Sequence, residues 1–151
     1  MNPEYKILKL GDGDNVREYA LIQMPPIKAV GFSLRVAQLL GGLLSKAEIS
    51  SLMQKAVAGD GMGAISALLP AFAGLDSKNA ESLMMEAMGF ETFAGSKKLS
   101  DKAHFDHWFR DNPGDLFPVG VWAVWEHSKD FLLGSKDSFR AVMGGLSDRS
   151  Q

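Results

Sequence analysis

One run near the C-terminal end constrains the fold more than any other: Leu116-Phe117-Pro118-Val119-Gly120-Val121-Trp122-Ala123-Val124-Trp125 carries no charged side chain. Read as a helix, its first two turns have almost no polar face. A helix apolar all round is stable only when other elements surround it. Asn112-Pro113-Gly114 is a turn signal just before it, Asp115 stands at its N-cap, and Gly134 ends it. The apolar stretches are interrupted by Gly and Pro and are too short to span a bilayer. This helix therefore belongs at the centre of a domain, and the rest of the chain must supply its cover.

The rest is suited to that task. With 151 residues, 46% apolar and 23% charged, the chain has the composition of one globular domain over 1–151. Residues 1–24 read as a β-hairpin: Tyr5 to Leu10 and Val16 to Gln23 flank Gly11-Asp12-Gly13-Asp14-Asn15, residues that tolerate positive φ. Residues 26–89 read as helices. Pro25-Pro26 opens a long one over Ile27 to Leu44, apolar on two faces. One stripe is Ile27, Val30, Leu34, Ala37 and Leu44; the other is Phe32, Val36, Leu39 and Leu43. Ser45-Lys46-Ala47-Glu48 is a capping box for the next helix. A third carries Met62, Ile65, Leu69 and Phe72, with Pro70 kinking or restarting it, and Asp76-Ser77 caps a fourth. Residues 90–99 read as a second small hairpin or an irregular loop. Residues 100–146 return to helix, with Ser100-Asp101 as a cap and a last amphipathic stretch over Ser135 to Leu146. The fold class is mainly α, a single helical domain with an N-terminal β-hairpin and room for a second.

Several function classes are disfavoured. The formal net charge is −2 and the longest basic run is Lys97-Lys98, so no nucleic-acid footprint is present. There are no cysteines, which removes disulfides, thiolate metal sites and cysteine nucleophiles. Met1 to Lys6 lacks the basic and apolar regions of a signal peptide. A cytoplasmic protein away from the membrane is expected.

Candidate chemistry is sparse. His104 and His107, with Asp106 between, share a helix face and form the best metal candidate, but no third ligand at helical spacing accompanies them. Glu126, His127 and Asp130 make a polar patch on the apolar helix, read as the point where it emerges into solvent, with His127 and Lys129 near its negative pole. Gly59-Asp60-Gly61-Met62-Gly63 precedes a helix but lacks the Gly-Lys-Ser/Thr of a phosphate loop. The Gly-Asp loop starting at Asp12 puts Gln23 where a calcium loop needs Glu. No catalytic residue, cofactor or metal is assigned. The eight methionines are more telling, because thioethers fill irregular gaps and suit adaptable binding surfaces. Two faces are candidates for a partner: Phe32, Val36, Leu39 and Leu43, and Phe139, Val142, Met143 and Leu146. Either could also drive homo-oligomerisation.

The stretch from Phe105 to Phe131 carries a family pattern. It reads Phe105-Asp106-His107-Trp108-Phe109, then Asp115-Leu116-Phe117, then Trp122-Ala123-Val124, then Asp130-Phe131. It resembles the tail assembly chaperones of tailed phages, which have Phe-Asp-x-His-Phe, Glu/Asp-Leu-Phe, Trp-Ala-Leu and a final Asp-Phe-Phe. Here Trp108 replaces the His, and His127-Ser128 replaces an Asn and an aromatic residue. The residues Phe105, Asp106, Trp108, Phe109, Leu116, Phe117, Trp122 and Phe131 are read as fold-specifying core. The resemblance implies a non-enzymatic protein of the host cytoplasm that binds the tape-measure protein and tail-tube subunits and is absent from the mature virion. A structural part of a phage or contractile tail-like particle is the alternative.

Overall fold

The computed structural model describes residues 4–59 and 61–134. The chain opens with β1 (Tyr5–Leu10) and β2 (Arg17–Ile22), antiparallel, with Tyr5 opposite Ile22 and Leu10 opposite Arg17. They are joined by a short 3-10 turn over Gly13–Asn15. At Gly11 φ is +87°, and a Cβ there would lie 2.2 Å from the Asn15 carbonyl oxygen, so the turn requires glycine.

The first helix is shorter than the sequence pattern predicts. α1 (Pro26–Leu40) stops at Gly41-Gly42 and does not continue to Leu44. The Gly41 N–H bonds the Ala37 carbonyl at 2.8 Å, and Leu43 N–H bonds the Leu40 carbonyl at 3.0 Å. Glycine gives up the most backbone entropy in a helix, so a pair of them is a natural stopping point. The turn also brings both Leu40 and Leu44 into the core. Ser45 and Glu48 then form the reciprocal capping box of α2 (Lys46–Val57): Ser45 Oγ accepts from Glu48 N–H at 3.1 Å, and Glu48 Oε1 accepts from Ser45 N–H at 3.2 Å. α3 (Gly61–Ala73) runs through Pro70 as one helix. α4 (Ser77–Met88) is capped by Asp76, which accepts from Lys78 N–H at 2.9 Å.

A second hairpin forms from β3 (Thr92–Ala94) and β4 (Lys97–Lys98), turning at Gly95 with φ +64°. It joins the first, because β3 pairs antiparallel with β2, Tyr19 opposite Ala94 and Leu21 opposite Thr92. The sheet order is β1-β2-β3-β4. α5 (Lys102–Asp111) follows, its N-terminus capped by Asp101 onto Ala103 and His104 N–H groups. A 3-10 turn over Pro113–Asp115 leads into α6 (Leu116–Gly134).

α6 is the axis of the molecule, as its sequence demands. Every residue from Val119 to Ser128 is buried. α1, α3 and α4 pack on it, and the inner face of the sheet, with Leu8, Tyr19, Leu21, Thr92 and Ala94, completes the core. α4 comes closest at Gly120, where a Cβ would sit 2.6 Å from Met84 Sδ and 3.1 Å from Met84 Cβ. One expectation is corrected here. The helix does not emerge into solvent at Glu126, because Glu126, His127 and Ser128 are all buried. α1 and the exit of the hairpin cover that turn; Ser128 Oγ donates to the Val124 carbonyl at 2.7 Å, and Glu126 pairs with Lys129 Nζ at 2.7 Å.

Candidate partner-binding surface

Two groups of interior polar side chains hold α6 in place. At its N-terminal end the Asp115 carboxylate accepts from Arg17 Nε at 2.5 Å and Nη2 at 2.8 Å. It also accepts from the Tyr19 hydroxyl at 2.6 Å, and that hydroxyl accepts from Trp108 Nε1 at 3.0 Å. Asp115, expected as a simple helix cap, therefore joins α6 to β2 and α5. Phe109 lies parallel to the Tyr19 ring, and Trp108 meets that ring edge-on. The Arg17 hydrogen bonds hold the Asp115 carboxyl below the usual carboxylate range. Burial, with the bond to Asp115, pushes the Tyr19 phenol up to about 12. A phenol so held is a structural donor.

At the other end His127 plays the matching part. Its Nδ1 accepts from Met24 N–H at 3.2 Å, which leaves Nε2–H to donate to the Ala87 carbonyl at 3.1 Å. Phe32 and Phe90 stand edge-on around the ring. Burial holds its pKa down to about 4, so the imidazole is neutral at pH 7. Gln23 Nε2 donates to the Glu126 carbonyl and to Asp130 Oδ2, both at 2.9 Å. The patch Glu126, His127 and Asp130 is thus a fastening between α6, the hairpin exit and α4.

The two histidines of α5 part company. His104 Nε2 is 3.0 Å from the Ala94 carbonyl and its ring lies against Trp108, whereas His107 is exposed, 3.6 Å from Asp111. Asp106 is exposed. Among the described residues no three His, Asp or Glu side chains converge on a metal-sized space. The other residues of the Phe105–Phe131 pattern lie on the core. Phe109 and Trp122 are buried; Phe105, Trp108, Leu116, Phe117 and Phe131 are partly buried against it, with Phe105 edge-on to Phe109 at 4.9 Å.

Among the described residues, open apolar side chains occur on β1 and its turn (Tyr5, Ile7, Val16), on α1, and at Leu43, Met62 and Met85. Phe32 and Val36 of the candidate partner face are enclosed against α6, Leu39 is partly buried, and Leu43 is exposed in the following turn. The opposite side of α1 is the open one: Ile27 is 91% exposed, with Val30 and Leu34 beside it. Val30 also edges a hollow of about 390 Å³ shared with Met24, Ala29, His127 and Phe131. A second hollow, of about 280 Å³, runs beside β1. The second candidate face, Phe139, Val142, Met143 and Leu146, lies outside the described residues.

The contacts of Asp115 and His127 are not foretold by local pattern, since their partners stand from forty to about a hundred residues away in the chain. One signal exists in retrospect. Arg17 shares the inward side of β2 with Tyr19 and Leu21, and a charged residue on a buried face needs a partner.

A family model described as phage tail assembly chaperone protein, TAC, matches residues 13–140. No curated protein and no solved structure matches the chain. Among the described residues no helix is long and apolar enough to cross a membrane.

Proposed function

The chain belongs to the phage tail assembly chaperone family, and from that premise we propose that it binds the tape-measure protein and tail-tube subunits during tail morphogenesis. It acts in the host cytoplasm, catalyses no reaction and leaves before the virion is complete. The observation that carries the reading is the family match, which takes in β2, the second hairpin and all six described helices. The solvent side of α1 supports it. Ile27, Val30 and Leu34 recur at helical spacing on an open face, the arrangement that covers the apolar stripe of a client helix. Leu39, at the edge of the opposite stripe, and Leu43, exposed in the turn after α1, adjoin it, and Phe139, Val142, Met143 and Leu146 are the second contact we propose. Phe32 and Val36 support the surface from beneath. The same open face could pair two copies of the chain.

Co-expression with the tape-measure and tail-tube proteins, followed by affinity capture, tests the proposal. Both should co-purify, and Val30→Asp should weaken capture while changing stability by less than about 0.5 kcal/mol. Mass spectrometry of purified particles separates a chaperone from a structural component. Recovery of this chain in particles, in proportion to the tube subunits, would reject the chaperone reading in favour of the tail-component one.

A further inference from the structure

The open side of α1 carries no charged side chain of its own. Ile27, Val30 and Leu34 lie on it. The two cations of the helix are drawn to the flank toward α4, Lys28 over the Phe90 ring at 4.6 Å and Arg35 onto Glu86. Gly31 stands in the middle of the stripe, exposed, and a Cβ there would meet no atom within 4 Å. Glycine weakens a helix interior, and what it offers in return is the close approach of another backbone. Among the described residues nothing makes that approach.

The chain leaves the described structure beside this face. Asp130 and Phe131, near the end of α6, line the hollow of about 390 Å³ together with Ala29 and Val30. Phe139 stands five positions after Gly134, and that length of chain spans up to about 17 Å when extended, enough to turn back to the hollow. Phe139, Val142, Met143 and Leu146 repeat the spacing of Ile27, Val30, Gly31 and Leu34, i, i+3, i+4 and i+7. As a helix they present a stripe of the same length, about 10 Å. A tethered segment meets its site at an effective concentration on the order of millimolar. A second copy or an unlinked client at micromolar level does not compete with that, so the tether decides which apolar stripe covers α1 first.

We propose that residues 135–146 fold back as a helix onto the open side of α1, with Phe139 in the hollow, and form a cover that a client helix has to displace. The cover stands on the matching stripes, the glycine between them and the place where the chain departs. Only its displacement by a client rests on the family reading.

The chain has no cysteine, so introduced pairs report without background. In the full chain, Met143→Cys is combined in turn with Ile27→Cys, with Leu34→Cys, and with Glu18→Cys, an exposed position on β2 that serves as the reference. Each double variant is oxidised at micromolar concentration. At least one of the two α1 pairs should form an intramolecular disulfide about tenfold or more faster than the reference pair, and adding Phe139→Asp should remove that advantage. Disulfides between two chains would assign the face to a second copy, and equal rates in all three pairs would leave α1 uncovered; either result overturns the proposal. Capture of the tape-measure protein reads the displacement. The oxidised α1 pair should capture it several-fold less well than the same variant after reduction. Equal capture in both states would overturn the cover as a gate. No capture in either state would reject the client reading, and the gate with it, while the cover stands or falls on the disulfides.

Discussion

The two ends of α6 are fastened to the first hairpin by opposite kinds of polar contact. At the N-terminal end the fastening is ionic: Asp115 meets Arg17 and the Tyr19 hydroxyl. Toward the C-terminal end it is neutral: the His127 imidazole sits between Met24 N–H and the Ala87 carbonyl. The difference follows from depth. The Arg17 side chain keeps 20% of its surface in water, so its charge is never fully desolvated. His127 is enclosed by Phe32 and Phe90, where a charge would cost several kcal/mol and a neutral ring with two hydrogen bonds costs little. Burial thus decides which kind of contact each end can use, and it gives the two ends different responses to acid.

The largest effect comes from emptying the helix between the two fastenings. Trp122→Ala should lower stability by about 3–5 kcal/mol in denaturant unfolding, because Trp122 is almost wholly buried. A loss under about 1 kcal/mol would mean that the fastenings, and not the core between them, carry α6.

Acid should separate the ends. The unfolded His127 takes up a proton near its ordinary pKa of 6.5, whereas the folded one resists until about 4. Its contribution is therefore complete above pH 6.5 and is lost as pH falls toward 4, by up to about 3 kcal/mol. Asp115 acts lower. Its folded pKa is depressed, so its contribution is present above the ordinary carboxylate pKa and is lost as pH falls below that. Urea unfolding from pH 8 to 4 on the native chain and on His127→Gln measures this. The native chain should lose more stability between pH 6.5 and 4 than the variant, and parallel curves would show that His127 is not held neutral.

The smallest effect falls at the ionic end. Tyr19→Phe removes one donor to Asp115 and the acceptor for Trp108 Nε1 while leaving Arg17 in place. A loss of about 1–2 kcal/mol is expected. The drop between pH 6.5 and 4 should be unchanged, and any change would couple two fastenings that the structure keeps apart.

Local chemistry was legible wherever the deciding residues are neighbours in sequence. The Gly11–Asn15 turn, the Ser45–Glu48 capping box, and the Asp76 and Asp101 caps each satisfy backbone groups within a few residues. The surface of α1 was not legible. Its two apolar stripes, Ile27-Val30-Leu34 and Phe32-Val36-Leu39, are similar in hydropathy. Only its crossing of α6 selected Phe32 and Val36 for burial and left Ile27 in solvent. The polar patch of α6 shows the same dependence: Asp130 is exposed, while Glu126 and His127 are buried, since polarity in sequence marks a surface only when no partner waits inside.

The sequence by itself determined that α6 must be central, that helices would surround it, and where most of them start, because burial of an apolar run and capping of a helix end are properties of contiguous residues. Only the tertiary structure decided that the second hairpin extends the first into one sheet, that Gly120 exists to admit Met84, and that His127 and Asp115 fasten the axis. Those outcomes depend on which distant segments meet, and a contact between residues far apart in the chain leaves little trace in the local spacing of either one.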